Sequence, residues 1–238
     1  MSTFLLIHGA WHGAWCWYKV IPRLETLGHR VIAPDLPSLG RDRTPVNRVT
    51  LPLWRDFVCN IIDEQAEPVT LVGHSRGGIV ISEVAEQRPD RIRSLIYLSA
   101  FLPRNGQSLF DLAATAEGSE VPPNMVMSGD SSSSMVRDEA LRSAFYGECS
   151  DEDVALARAC LQPEPTLPLA TAVLLTDANY GRVPRTYIGC ARDRAVTPPF
   201  QKSMLSASPC KQVLSIDTDH SPFFSRPDEL VAQLHSLA

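Results

Sequence analysis

A serine in a glycine-rich turn is the strongest candidate for a nucleophile in this sequence. Ser75 stands in the run GHSRGG at 73–78, after the apolar run Val69–Val72 and before a helical pattern over Gly77–Gln87. A strand, a sharp turn and a helix around G-x-S-x-G are typical of a nucleophile elbow, in which small neighbours allow a strained serine backbone. The hydroxyl then stands at a helix N-terminus, where the dipole favours developing negative charge. The alternative, a glycine-rich turn without chemistry, is disfavoured by this context and by the extra Gly78.

Two backbone amides could stabilise an oxyanion formed by attack of such a serine. One donor is expected from the turn after an early strand, here Ala10, and the other from the residue after the nucleophile, here Arg76. Each such donor is worth about 10²–10³ in rate. His8 and His12 on the same turn could suggest a metal pair, but no third ligand is apparent, so we expect no metal.

His220 is the histidine best placed to act as the general base for Ser75. It follows the last predicted strand, Gln212–Ile216, on a loop that would lie at the same edge of the sheet. Three other histidines are less suitable because they precede a strand, lie on the terminal helix pattern, or should point away from the nucleophile: His29, His235 and His74.

A carboxylate should hold the other ring nitrogen of His220, and Asp193 is the leading candidate. It lies just beyond the predicted strand Thr186–Gly189, where sites of open α/β sheets collect, and it fits the chain order serine, acid, histidine. Asp219 or Asp217 could take this role instead, although adjacent side chains rarely converge. Asp193 could also be a solvated carboxylate paired with a neighbouring arginine.

The elements that must position these residues alternate along the chain. The predicted strands are Thr3–Ile7, Arg30–Ala33, Val69–Val72, Leu95–Leu98, Thr186–Gly189 and Gln212–Ile216. The predicted helices are Trp17–Leu27, Leu53–Gln65, Gly77–Gln87, Pro199–Ser206 and Pro227–Leu237. Most of the strands are continuously apolar, which is typical of a parallel sheet buried on both faces. The pattern therefore predicts an α/β fold.

Residues 104–182 interrupt this alternation and are too long for a connecting loop. We expect them to form a cap inserted into a single domain whose core comprises residues 1–103 and 183–238. Ser150 begins a capped helix signal within the cap, and Ser131–Ser134 are expected to form a mobile loop.

Composition excludes several classes of protein. The 238 residues are 44% hydrophobic and 21% charged, which is typical of a globular chain, and the net charge of −5 argues against nucleic-acid binding. No apolar run approaches the length of about 20 residues that spans a bilayer, and we expect neither a signal peptide nor membrane association. The six scattered cysteines indicate reduced thiols in a cytoplasmic protein.

Taken together, these residues resemble the α/β-hydrolase superfamily, and within it the branch of plant methyl esterases and hydroxynitrile lyases with bacterial esterase relatives. The resemblance runs nearly end to end and rests on HGAWHGAWCWYK at 8–19, GHSRGG at 73–78, YIGCARD at 187–193 and Asp219-His220. It implies a mostly parallel six-stranded sheet and a catalytic triad of Ser75, Asp193 and His220. It also implies oxyanion donors at Ala10 and Arg76.

Three positions depart from the patterns of this branch. The lyases carry a lysine directly after the catalytic histidine and a threonine after the first histidine of the oxyanion turn, whereas this chain has Ser221 and Gly9. Hydrolysis is therefore favoured over lyase activity. The plant esterases usually have leucine after the nucleophile, whereas this chain has Arg76, which could alter the pocket floor or pair with an acid.

These observations predict a cofactor-free serine hydrolase that acts on small or aromatic neutral carboxylic esters through an acyl-enzyme. The predicted cap carries a net charge of −7, which would repel anionic substrates. The expected apolar pocket comprises Trp11, Phe110, Met125, Met127, Phe145 and Phe223. Hydrolysis of lactones, carbamates or amides by the same triad stays open, as does a small-molecule receptor with slow turnover. A homodimer also stays open.

Overall fold

A central sheet of six parallel strands organises the computed structural model, which describes residues 1–238. The nine strands of the structure are β1 (Thr3–Ile7), β2 (Arg30–Ile32), β3 (Val69–His74), β4 (Ile92–Leu98), β5 (Met125–Met127), β6 (Ser133–Val136), β7 (Glu164–Pro165), β8 (Arg185–Cys190) and β9 (Gln212–Ile216). The central sheet has the order β2-β1-β3-β4-β8-β9, and every pair in it is parallel. All six predicted strands are confirmed, as is the α/β fold.

Helices cover both faces of this sheet. They are α1 (Val20–Thr26), α2 (Leu51–Asp63), α3 (Gly77–Gln87), α4 (Leu109–Ala113), α5 (Val121–Asn124), α6 (Asp138–Phe145), α7 (Asp151–Cys160), α8 (Leu167–Ala170), α9 (Pro198–Ala207), α10 (Pro222–Ser225) and α11 (Pro227–Ser236). The first helix begins later than the predicted Trp17, because the Tyr18 N–H bonds to the Trp15 carbonyl and closes a separate 3-10 turn over Ala14–Trp17.

The continuously apolar strands divide their side chains between two hydrophobic cores, one on each face of the sheet. In β1, Leu5 and Ile7 belong to one core, whereas Phe4 and Leu6 belong to the other. Alternate residues of a strand point to opposite faces, so a strand covered on both sides must be apolar throughout. This burial fixes the register of the strands and hence the positions of the loops that follow them.

The predicted cap, residues 104–182, lies between β4 and β8 and contains α4–α8 together with a second sheet. This sheet is antiparallel, with the order β5-β6-β7. The expectation of a mobile loop at Ser131–Ser134 was wrong, because Ser133 and Ser134 are buried in β6 and pair with β7. The polar turn before them is ordered by Asp130, whose carboxylate accepts hydrogen bonds from the Ser128 hydroxyl and from Ser132.

All six cysteines are unpaired, and those at positions 16, 59, 149 and 190 are buried. No helix has the length and apolar character needed to cross a bilayer.

The start of α3 packs unusually close to the loop that follows β4. A Cβ atom placed on Gly78 would lie 2.1 Å from the carbonyl oxygen of Phe101, a backbone atom that cannot move aside without shifting its loop. A glycine inside a helix costs about 1 kcal/mol relative to alanine. Glycine is nevertheless required at this position, because only a hydrogen atom fits between the backbone of α3 and the loop that follows β4.

We predict that Gly78→Ala destabilises the protein by about 2 kcal/mol or more, despite the better helix propensity of alanine. The matched control is Gly129→Ala, because no heavy atom lies within 4 Å of a Cβ built there. The control should change the free energy of unfolding by less than about 0.5 kcal/mol. Urea denaturation of both variants tests this, and a Gly78→Ala protein as stable as the control would contradict it.

Candidate active site

Ser75 occupies the sharp turn between β3 and α3 and has a strained backbone. Its φ is 52°, in the left-handed region that residues other than glycine rarely adopt. The turn is held from both sides, since the Ser75 N–H donates to the Leu98 carbonyl at 3.2 Å and the Phe101 N–H donates to the Ser75 carbonyl at 3.0 Å. This geometry agrees with the elbow that the sequence predicts.

His220 and Asp193 meet although they are separated by 27 residues in the chain. The Nδ1 atom of His220 lies 2.6 Å from Oδ2 of Asp193, and both residues are buried. A carboxylate accepts hydrogen bonds, so Nδ1 carries the proton and the other ring nitrogen is free to accept one. An imidazole oriented in this way can take a proton from a hydroxyl group.

Asp193 is buried without an arginine partner, and neutral donors surround its carboxyl group. Oδ1 accepts hydrogen bonds from the N–H groups of Ala195 at 2.7 Å and Val196 at 2.8 Å. Oδ2 accepts from the hydroxyl of Ser99 as well as from His220. Hydrogen bonds to the charged form compensate the loss of hydration that burial imposes on a carboxylate.

Gln201 supports this arrangement from α9, and no sequence pattern pointed to it. Its Nε2 atom lies 3.2 Å from the Ser99 hydroxyl, 3.0 Å from the Cys190 carbonyl and 2.7 Å from the Val196 carbonyl. The amide therefore links the end of β8 to the loop that carries Asp193. Neither Gln201 nor Ser99 belongs to a local motif, so only the folded structure reveals them.

The two rival carboxylates make other contacts. Asp219 accepts hydrogen bonds from the N–H of Glu148 at 2.7 Å and from the N–H of Ser221 at 3.1 Å, which ties the His220 loop to the predicted cap. Asp217 lies 3.0 Å from Arg192 in an exposed ion pair. Neither carboxylate therefore forms a hydrogen bond with the His220 ring. The alternative of a solvated Asp193 is also not seen, since Asp193 is only 2% exposed.

The turn with the predicted oxyanion donors is held by neutral histidines. Nδ1 of His12 lies 2.7 Å from the Ala10 carbonyl, and Nε2 lies 2.7 Å from the hydroxyl of Tyr146. Burial lowers the pKa of His12 to about 4, so the ring is neutral at pH 7 and donates from Nδ1 to the carbonyl. The N–H groups of Ala10 and Arg76 donate to no other protein group.

His8 and Gly9 have structural explanations at this turn. Nδ1 of His8 lies 2.9 Å from the Gly9 carbonyl, and Nε2 accepts the Leu36 N–H at 3.2 Å. Both of its ring nitrogens are thus engaged within the protein. A Cβ on Gly9 would lie 2.7 Å from Nδ1 of His74, so the threonine that the lyase pattern places here would require His74 to move.

A cavity of about 220 Å³ opens beside Ser75, and most of the residues that line it are hydrophobic. Four of the six predicted pocket residues line it: Trp11, Phe110, Met125 and Phe145. The other two do not line this cavity. Met127 is 41% exposed on β5, and Phe223 is buried on α10 with its ring 5.0 Å from that of His74. Small side chains that the sequence did not single out complete the wall, among them Ala113, Ala114, Ala116 and Ala195.

The side chain of Arg76 is buried at the floor of this cavity. Its Nε atom lies 2.8 Å from Oε1 of Glu164, a residue of β7, and the two side chains are 1% and 0% exposed. Its Nη2 donates to the Gly9 carbonyl at 3.0 Å, and the guanidinium carbon lies 4.2 Å from the centre of the Trp54 ring. The sequence suggested pairing with an acid but could not identify Glu164.

Comparisons with known proteins agree with this fold. Methylesterase 7 of Arabidopsis thaliana is 34% identical over 252 residues, covering 100% of this chain and 96% of that protein. The crystal structure of the methylesterase protein MES16 from Arabidopsis has a TM-score of 0.86 and 29% identity, covering 100% of this chain and 98% of that chain. A pyrethroid hydrolase from Sphingobium faniae JZ-2 gives a TM-score of 0.88 and 28% identity, covering 99% of this chain and 96% of that chain.

Some curated relatives are longer than this chain, which spans 64%, 54% and 55% of the length of three chloroplastic proteins of Arabidopsis thaliana. The model of the alpha/beta hydrolase family matches residues 4–234, nearly the whole chain. With the parallel sheet, the strained serine and the buried histidine–aspartate pair, this match establishes that the chain belongs to the alpha/beta hydrolase family.

Proposed function

We propose that this protein is a serine esterase that hydrolyses small or aromatic neutral carboxylic esters through an acyl-enzyme intermediate. The observation that carries the proposal is the 2.6 Å hydrogen bond between His220 and the buried Asp193, at the edge of the sheet where Ser75 faces an apolar cavity. The relatives named methylesterases support the same class of reaction.

The proposed reaction begins when the Ser75 hydroxyl oxygen attacks the ester carbonyl and His220 accepts the hydroxyl proton. Asp193 holds the proton on Nδ1 and stabilises the imidazolium that forms. The carbonyl oxygen gains a negative charge, which the N–H groups of Ala10 and Arg76 bind. His220 then protonates the departing alcohol. A water molecule, deprotonated by His220, attacks the acyl carbon; the bond to the Ser75 oxygen breaks, and His220 returns the proton to Ser75 as the acid leaves.

The cavity favours substrates without charge near the ester. Arg76 is the only charged side chain that lines it, and Glu164 neutralises that charge. Burying a substrate carboxylate here would cost several kcal/mol because no cation is free to pair with it. The net charge of −7 on residues 104–182 acts in the same direction at longer range. Neutral methyl esters or aromatic esters therefore fit best.

Two further aspects of the proposal concern the reaction class and the compartment. Ser221, directly after His220, offers no cation for cyanide, so we favour hydrolysis over the lyase reaction of related proteins. The six unpaired cysteines favour a reducing compartment such as the cytoplasm. The net charge of −5 favours small-molecule substrates over nucleic acid.

We predict that Ser75→Ala lowers kcat for p-nitrophenyl acetate by about 10⁴-fold or more, because the reaction loses its nucleophile. Thermal unfolding of the variant should stay close to that of the wild type, since the change removes one hydroxyl group from a residue at the cavity wall. A folded variant with undiminished turnover would refute the proposed function.

We also predict a preference for neutral acyl groups. The matched substrates are p-nitrophenyl butyrate and p-nitrophenyl hemisuccinate, which share a four-carbon acyl chain and a leaving group but differ in a terminal carboxylate. The kcat/KM value should be at least about 10-fold higher for the butyrate, because the apolar cavity offers the carboxylate no partner. Equal values, or a preference for the hemisuccinate, would contradict the proposed substrate class.

A further inference from the structure

The buried guanidinium of Arg76 contacts the peptide unit that carries the other candidate oxyanion donor. Nη2 of Arg76 donates to the Gly9 carbonyl at 3.0 Å, and this carbonyl belongs to the same peptide unit as the Ala10 N–H. A trans peptide unit is planar, so fixing its carbonyl on one side fixes the direction of its N–H on the other. A charged donor on the carbonyl also polarises the unit and strengthens the N–H as a donor.

We propose that the Arg76 side chain is a positioning group for oxyanion binding. On this proposal Arg76 supplies one donor from its backbone and aims the second, the Ala10 N–H, through its guanidinium. His8 assists, since its Nδ1 lies 2.9 Å from the same Gly9 carbonyl. The inference rests on the proposed esterase function and deepens it by giving a role to a charged side chain where related esterases usually carry leucine.

Glu164 connects this arrangement to the predicted cap. While Oε1 faces Arg76, Oε2 accepts the Trp11 N–H at 2.8 Å. Trp11 has a φ of 62°, and its indole N–H donates to the Ser134 carbonyl at 2.9 Å. Ser134 and Glu164 are paired neighbours on β6 and β7. The antiparallel sheet of the cap thus holds Trp11, the strained residue that directly follows Ala10.

The buried charges of Arg76 and Glu164 stabilise each other. Burial lowers the pKa of Arg76 and raises the pKa of Glu164, and in each case the partner's charge opposes the effect of burial. Removing one partner alone would leave an uncompensated buried charge and destabilise the protein for reasons unrelated to catalysis. A test of the positioning role must therefore neutralise both residues together.

The double variant Arg76→Met/Glu164→Gln meets this requirement. Methionine keeps most of the apolar volume without the guanidinium, and the glutamine oxygen can still accept the Trp11 N–H. We expect kcat for p-nitrophenyl acetate to fall about 10- to 100-fold, less than the loss of a whole oxyanion donor. KM should change by less than about twofold, because the oxyanion exists only in the transition state and not in the bound ester.

A trifluoromethyl ketone provides a second readout that a merely structural role would not move. Addition of Ser75 to this inhibitor forms a carbon–oxygen bond, transfers the hydroxyl proton to His220 and leaves an oxyanion in the proposed site. Its affinity should fall in the double variant by about the same factor as kcat/KM. Unchanged inhibitor affinity in a folded double variant would overturn the proposal, as would a kcat within about twofold of the wild type.

The matched control is Lys19→Met/Asp153→Asn. Lys19 and Asp153 form another ion pair between the core and the cap, with Nζ and Oδ2 2.7 Å apart, but neither contacts the Gly9–Ala10 peptide unit. This control should keep the wild-type kcat and inhibitor affinity. An equal loss in the control would show that any loosening of the cap suffices and would overturn the specific role of Arg76. Absence of Ser75-dependent turnover in the wild type would overturn the proposed function as well.

Discussion

The close packing of backbones around Ser75 is the constraint on which the rest of the site depends. The strand β3 must end in a turn tight enough to give Ser75 a positive φ, while α3 starts against the loop after β4. Such a conformation persists only where its surroundings enforce it. Here the enforcement comes from the two-sided apolar sheet, which fixes the register of β3 and β4. The same register brings the loops after β8 and β9, with Asp193 and His220, to one edge.

The site contains two buried sets of polar side chains that are held in different ways. Asp193 accepts hydrogen bonds from neutral backbone donors and contacts the His220 ring. Arg76 and Glu164 neutralise each other, which leaves the cavity floor without net charge. In the proposed function, the first arrangement would support proton transfer and the second would favour the binding of a neutral ester. Both depend on exclusion of water, because exposed charges would interact only weakly.

Local sequence patterns predicted the strands and the residues that lie at strand ends. The apolar runs predicted the strands of the sheet, and the GHSRGG run predicted the turn at Ser75. Chain order then predicted the pairing of His220 with Asp193, which the structure brings together. The catalytic roles of these residues stay predictions. Partners that come from distant segments left no such signal: Gln201 and Glu164 lie in no motif, and their roles follow only from packing.

The polarity or hydrophobicity of a residue does not by itself determine its strand pairing or the side to which it points. The serine run at 131–134 was predicted to be mobile because it is polar, but β6 gives its backbone partners on β7. Met127 and Phe223 are large and apolar, which is why the sequence predicts them in the pocket, but neither lines the cavity beside Ser75. One faces outward from β5, and the other packs among aromatic rings near His74. Which side of an element faces a cavity depends on register, which composition does not determine.

The central claim is that His220 activates Ser75, and covalent labelling tests it most directly. The protein would be treated with a fluorophosphonate, and intact mass and peptide mapping would give the extent, rate and position of labelling. The account predicts one label per chain, located on Ser75, with a rate that falls at least about 100-fold in His220→Ala. Labelling at another residue, or an unchanged rate in folded His220→Ala, would contradict it.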